Sequence, residues 1–295
     1  MNKSAYRCWL CNSQNTYRSK AGNLRSEISS DDFRITDANY GVTADIYTCA
    51  DCSFKFCPTV ADALTFYKNM GDTTYETTRA ERSLQAKKIL HRIKRFKTNG
   101  RLLDVGAGSG ILVEQALALG YDASGVEPSE SLSESAQKLK LPVITGTLPL
   151  PTLQHPFDVV TLIDVIEHVD QPLAMLEEVS KCLRQDGICI LVTPDVSSFA
   201  AHIMRGKWWH YRLAHIGYFD RKTLQQLTAS TGFEIIATYR PAWYFPANYL
   251  AERLLRYVPG ASRITPPAWL EKITIPLNLF DSLLVVCKKK DTTEA

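Results

Sequence analysis

Leu102-Leu103-Asp104-Val105-Gly106-Ala107-Gly108-Ser109-Gly110 decides the reading of this chain. It is a short apolar strand running into a glycine loop, and Ile111–Leu119 continues it as an apolar-periodic helix ended by Gly120. The spacing is G-x-G-x-G. A dinucleotide loop needs G-x-G-x-x-G, with its third glycine at position 111, where this chain has Ile111. An acid, Asp104, stands two places before the first glycine. A pyrophosphate seeks the free N–H groups of a helix N-terminus, and an acid upstream offers that anion nothing. Asp104 suits a cationic ligand group instead, an amine or a sulfonium. The glycines let the backbone approach such a ligand without a Cβ clash.

Downstream, Ala123–Val126 reads as a second strand that ends in Glu127-Pro128-Ser129. An acid at that position accepts both hydroxyls of a ribose. Glu127 therefore supports a nucleoside without choosing which. Helices over Ser131–Leu139, Pro172–Leu183 and Arg221–Ser230 alternate with strands over Phe157–Ile163, Ile188–Thr193, Phe233–Tyr239 and Ser282–Cys287. This alternation predicts an α/β fold: a largely parallel, Rossmann-like sheet with helices on both faces. Residues 60–97 read as helical, with Ile89, Leu90, Ile93 and Phe96 on one side and a basic, solvated face on the other.

Three motifs in order carry a resemblance: Leu102–Gly110, Glu127, and the run from Phe157 through Asp164-Val165-Ile166-Glu167-His168-Val169. Over roughly residues 75–240 the chain resembles class I S-adenosylmethionine-dependent methyltransferases, whose seven-stranded sheet it is then expected to share. The stretch Gly206-Lys207-Trp208-Trp209-His210 to Thr231-Gly232-Phe233 resembles a subgroup active on sugars, lipids, quinones and other small metabolites. The resemblance implies cofactor contacts from Tyr75, Asp104, Gly106, Ala107, Gly108, Gly110, Glu127, Pro128, Ile163 and Asp164. Many relatives carry an acid after the third strand to hold the adenine amine. Here the run is Thr145-Gly146-Thr147-Leu148, so Thr147 and Leu148 are expected to serve through backbone groups.

Methyl transfer to oxygen or carbon needs alignment of the reactants and a base, commonly histidine near neutral pH. Asp164, Glu167 and His168 follow the fourth strand at the carboxyl edge, where ligands bind in such sheets. Two uses are open to them. His168 is a base or substrate contact, or the trio holds a second divalent cation, a set that hard carboxylates and an imidazole suit. His210 and His215 lie in the aromatic segment after the fifth strand. His215 is taken as the first candidate base and His168 as the second. Of two adjacent tryptophans, Trp208 and Trp209, at least one should border a pocket.

Five of eight cysteines lie in the first 57 residues. Cys8-x-x-Cys11 and Cys49-x-x-Cys52 form two knuckles, which together offer the tetrahedral Cys₄ set of a structural Zn²⁺. A similar knuckle precedes some sugar methyltransferases. Cys57, Cys182, Cys189 and Cys287 read as small buried hydrophobes.

Composition is that of an ordinary globular chain, with 45% hydrophobic and 22% charged residues. The net charge of +3 gives no push toward nucleic acid. The chain divides into a Cys₄ module (1–59), a helical linker or cofactor lid (60–98), the cofactor-binding core (99–240), an insertion (241–281), and a last strand with basic tail (282–295). The insertion is aromatic- and proline-rich. It either buries against the core or a second subunit, or forms a cap with Arg253, Arg256, Arg263 and Lys272 that touches a membrane surface. With no apolar leader at Met1–Cys8, a cytoplasmic enzyme is expected, monomeric or homodimeric, with a small-molecule substrate. A nucleic-acid methyltransferase using the zinc module as reader, or a non-catalytic scaffold, are the alternatives.

Overall fold

The computed structural model describes residues 6–24, 28–35, 40–60, 63–72, 75–154, 156–255 and 265–290. The N-terminal segment holds strands β1 (Thr16–Lys20), β2 (Ile46–Cys49) and β3 (Lys55–Phe56), followed by helices α1 (Ala63–Lys68) and α2 (Arg79–Ile93). The core continues with β4 (Arg101–Val105), α3 (Ile111–Ala118), β5 (Asp122–Glu127), α4 (Glu130–Lys138), β6 (Val143–Thr145), β7 (Phe157–Ile163), α5 (Pro172–Cys182) and β8 (Leu183–Pro194). Then come α6 (Phe199–Met204), β9 (Gly217–Tyr218), α7 (Arg221–Ser230), β10 (Phe233–Tyr239), β11 (Trp243–Pro246), α8 (Ala247–Leu255), β12 (Thr274–Leu277) and β13 (Ser282–Lys289).

Seven strands form one sheet in the order β10-β13-β8-β7-β4-β5-β6. The order reverses at β4, whose neighbours β5 and β7 both run parallel to it. The last strand, β13, inserts antiparallel between β8 and β10. The central strands read as continuous apolar runs because both faces are covered: Val159, Val160 and Leu162 of β7 and Ile190, Leu191 and Val192 of β8 are fully buried. The helices start on local signals. Pro172 opens α5, Ser129 caps α4 by accepting from Leu132 N at 3.3 Å, and Asp220 closes a capping box on α7 with Thr223.

Three expectations change in detail. The helical reading of 60–97 splits into α1, a 3₁₀ turn at Tyr75–Thr78 and α2. The stretch between the expected Pro172–Leu183 helix and the Ile188–Thr193 strand is taken into β8, because Phe157 pairs with Leu183 and Val159 already with Ile188, leaving extra residues looped out of the ladder. The insertion is a β11–β12 hairpin carrying α8 at its tip and packed on α2. Arg256 and Arg263, residues 1–5 and the end of the basic tail (291–295) lie outside the described residues.

The Cys₄ segment is stitched to the core. β1, β2 and β3 form a second sheet whose fourth strand is β9, with Lys55 opposite Tyr218 and Phe56 opposite Gly217. Leu10, Phe54 and Phe56 share one apolar cluster with Leu162 and Phe219. Among the described residues no helix is long and apolar enough to cross a membrane.

Candidate active site

The carboxyl ends of β4, β5 and β7 meet at the point where the strand order reverses, the place where such sheets bind ligands. Gly106 and Gly108 both adopt positive φ, +72° and +54°. A Cβ at Gly106 would stand 2.6 Å from Val165 Cγ2, and one at Gly108 would stand 2.9 Å from the Tyr75 hydroxyl. The loop is therefore a close-fitted cradle that side chains would fill. Tyr75 covers it, with the Arg82 guanidinium 4.1 Å over its ring.

The two acids of the cradle are almost completely buried. Glu127, 5% exposed, accepts from Gly108 N at 2.7 Å and from Ser129 N at 2.8 Å. Burial pushes its pKa up to about 7 against the pull of those two amides. Asp104, 4% exposed, accepts from Thr161 Oγ1 at 2.6 Å. Burial raises it to about 7 as well; the Thr161 bond opposes the rise and the neighbouring Glu127 charge adds to it.

One cavity of about 1250 Å³ runs from this cradle to the hairpin of the insertion. Tyr75, Asp104, Gly106, Ala107, Gly108, Glu127, Pro128, Thr147, Leu148, Ile163 and Asp164 all line it. Gly110 does not. It starts α3 in a left-handed conformation and abuts Leu141 and Ala136, so its part is to turn the chain.

His168, His210 and His215 line the same cavity. The His168 ring meets His215 edge-on at 4.8 Å, and His215 stacks on His210 at 5.7 Å. Glu167 Oε2 accepts from Thr193 at 3.0 Å, while its buried Oε1 has no hydrogen-bond partner among the described residues. His168 Nδ1 faces the Ala214 carbonyl at 2.7 Å and is also in contact with the Tyr67 hydroxyl. Burial holds the His168 pKa down at about 4 and pushes His215 well below its usual value. His210 is lowered by burial too, but Asp281 Oδ2 stands 3.4 Å from its Nε2 and opposes that shift. Trp208 Nε1 donates to the same carboxylate oxygen at 3.3 Å. His210 and Trp208 hold the Asp281 pKa below the carboxylate range in spite of its burial.

The expected cation trio is corrected by this geometry. Glu167 and His168 cluster with His215, and Asp164 stands outside the group. Spacings of three and four residues would share a face on an α-helix. Here Asp164 takes a φ of +53° and the residues after it form a 3₁₀ turn, Ile166–His168, so the face is not shared. Asp164 opens onto the cavity instead. Of the two tryptophans, Trp208 is fully buried and Trp209 borders the cavity. Asp281 and Tyr67 were not singled out by the sequence. Asp281 lies far along the chain at the foot of β13, with no local motif to mark it.

The four sulfurs of Cys8, Cys11, Cys49 and Cys52 gather with their ligand atoms within 4.8 Å of one another. Cys8 Sγ lies 3.5 Å from Cys52 Sγ, and Cys11 Sγ 3.5 Å from Cys49 Sγ. The two knuckles are built alike. Asn12 N donates to Cys8 O and Ser53 N to Cys49 O, each at 2.9 Å, and both donors have positive φ. Cys57, Cys182, Cys189 and Cys287 are buried apart from this group.

Comparison with known proteins agrees with the cradle. A family described as a methyltransferase domain matches residues 78–238, more than half of the chain. The ubiquinone biosynthesis O-methyltransferases of Schizosaccharomyces pombe and Psychrobacter cryohalolentis are each 33% identical, over 102 and 103 residues. Those alignments cover 32% of this chain and 37% and 40% of the relatives, so the chain spans about two fifths of the length of the curated relatives it matches. A solved S-adenosylmethionine-dependent methyltransferase from Archaeoglobus fulgidus superposes with a TM-score of 0.51 at 18% identity, covering 74% of this chain and all of that one, which supports the fold. With its strand order, glycine cradle and paired acids, the chain belongs to the methyltransferase-domain family, in the class I S-adenosylmethionine-dependent group.

Proposed function

We propose that the protein methylates a hydroxyl of a small, largely apolar molecule. The observation that carries this reading is the single cavity of about 1250 Å³ that joins the cofactor cradle, the histidine cluster and an aromatic far wall. Pockets for one drug-sized ligand measure about 300–1,000 Å³, so this one suits a cofactor and an acceptor together. The names of the relatives support oxygen as the acceptor atom.

The fit to the cofactor rests on the cradle that a Cβ would fill and on two buried carboxylates. S-adenosylmethionine supplies an electrophilic methyl group carried on a sulfonium. Glu127 would bind its ribose and Asp104 would favour its cationic end. Replacing Glu127 with alanine is expected to weaken binding by about 1–3 kcal/mol through loss of charge-assisted hydrogen bonds. Calorimetry reads that loss directly, and unchanged affinity would remove Glu127 from the site.

A pH dependence follows. Both acids are raised to about 7 in the ligand-free protein. Below that pH they are mostly protonated, and binding a cation must expel the protons. Affinity for the cofactor should therefore fall as pH drops from 7.5 to 6, by up to about tenfold per pH unit for each coupled group. A flat profile over that range would contradict the assignment.

For the proton on the acceptor hydroxyl, the sequence put His215 first and His168 second. Both belong to the cluster, but His210 has the carboxylate. With Nε2–H directed at Asp281, Nδ1 of His210 is the acceptor, and Asp281 stabilises the imidazolium that forms. His215 stacks on that ring, and His168 backs His215 edge-on.

We further propose a structural Zn²⁺ on Cys8, Cys11, Cys49 and Cys52. Sulfurs about 2.3 Å from a tetrahedral zinc lie about 3.8 Å apart, close to the 3.5 Å pairs present.

A further inference from the structure

The cavity is not uniform along its length. Of its acids, Asp104, Glu127 and Asp164 stand at the carboxyl ends of β4, β5 and β7 at the cofactor end, and Glu167, Asp170, Glu178 and Asp281 complete the acidic lining. The opposite wall comes from the insertion, with Trp243, Phe245 and Leu250, and from Tyr40 and Tyr249. Into that wall α8 places Arg253. Its guanidinium lies 5.3 Å from the centre of the Tyr40 ring and 4.8 Å from that of Tyr249. The two rings hold it by cation–π contact, and Phe245 stacks on Tyr249 behind them at 5.4 Å.

Arg253 Nη1 is buried and has no hydrogen-bond partner among the described residues, and no described carboxylate forms an ion pair with the side chain. Arg212 lies on the same cavity and repeats the pattern. Its terminal nitrogens donate to the carbonyls of Arg34 and Ile35, while its buried Nε has no partner among the described residues. Both guanidinium groups line the one cavity, Arg253 against the Tyr40 ring. Arg212 also acts on Asp164 and Glu167. Arg253 is left as the cation without a described counter-charge. A buried cationic N–H that makes no hydrogen bond is disfavoured, and a planar guanidinium fixed on aromatic faces is pre-organised for a carboxylate or phosphate.

We propose that Arg253, with Arg212 on the same cavity, receives an anionic group of the methyl acceptor, so that the substrate is an amphiphile with a carboxylate or phosphate at one end and an apolar body in the aromatic wall. This rests on the methyltransferase reading and narrows its substrate class. The anion anchors the far end while the hydroxyl to be methylated lies toward His210.

The test uses the full-length chain loaded with S-adenosylhomocysteine and three probes with one body: octanoate, octyl phosphate and octan-1-ol, titrated by calorimetry. At least one anion is expected to bind ten or more times tighter than the alcohol, and the tighter anion identifies the carboxylate or phosphate source. In Arg253→Met that preference should vanish while affinities for the alcohol and for S-adenosylhomocysteine stay unchanged. Arg253→Lys should keep part of the preference. Equal binding of all three probes, no binding of any, a preference that survives in Arg253→Met, or a uniform loss for all three probes would each overturn the proposal. Failure to bind S-adenosylhomocysteine at all is a different result, which removes the cofactor reading beneath it.

Discussion

Replacing Cys49 with serine is expected to release the metal and loosen the active site together. The purified chain should carry one zinc, and the variant almost none. Structural zinc contributes apparent binding free energies of about 10–16 kcal/mol in zinc-finger peptides, so removing one of four ligands should lower stability by several kcal/mol. In a chain of this size each kcal/mol shifts the melting midpoint by about 2–4 °C. A drop of about 10 °C or more is the expected result by differential scanning. The effect should reach the cavity because the Cys₄ segment is not a separate bead. β3 pairs with β9, Cys57 N donates to the Ile216 carbonyl at 2.8 Å, and Ile216 N donates to the Glu167 carbonyl at 2.9 Å. Those links hold the segment that carries His210 and His215. A metal-free chain with an unchanged melting profile, or disulfides between the knuckles, would contradict this account.

The second large effect is on chemistry. His210→Ala should leave cofactor affinity within about twofold and lower kcat by about 10²–10⁴, the usual contribution of a general base. Asp281→Asn should lower kcat as well and shift the acidic limb of the pH–rate profile, where the base must lose its proton, to lower pH, because the imidazolium loses its counter-charge. The assay needs an acceptor found by screening alcohols and phenols for S-adenosylhomocysteine release. Should His210→Ala turn over normally while His215→Ala or His168→Ala does not, the base moves to that neighbour. The three variants together therefore locate it.

The parts of this site that the sequence displayed are those encoded over short spans. The cradle is nine consecutive residues, and its G-x-G-x-G spacing with Asp104 by itself separates it from a dinucleotide loop. The knuckles are legible because each C-x-x-C fixes two sulfurs locally, even though residues 12–48 intervene. Glu127 is legible from its place at a strand end. What escaped is set by long-range packing. His210 meets Asp281 only because β13 returns between β8 and β10 and delivers its first residues to the cavity. Asp164 fell out of the Glu167–His168 group because one residue with positive φ and a 3₁₀ turn replaced the helical phase that its spacing suggests. Gly110 sits in the loop motif yet serves the start of α3, a distinction between ligand contact and chain turning that spacing alone does not carry. The insertion announced itself by its aromatics, but its place as the far wall of the cavity depends on the hairpin that packs it on α2.

The cradle at the carboxyl ends of β4 and β5 is expected to bind S-adenosylmethionine. Calorimetric titration of the purified chain at pH 7.5 tests it most directly, with S-adenosylmethionine, S-adenosylhomocysteine and NADH in parallel. One site of micromolar affinity is expected for the first two, weakened in Glu127→Ala, with no heat from NADH. Binding of NADH without binding of S-adenosylmethionine would contradict it.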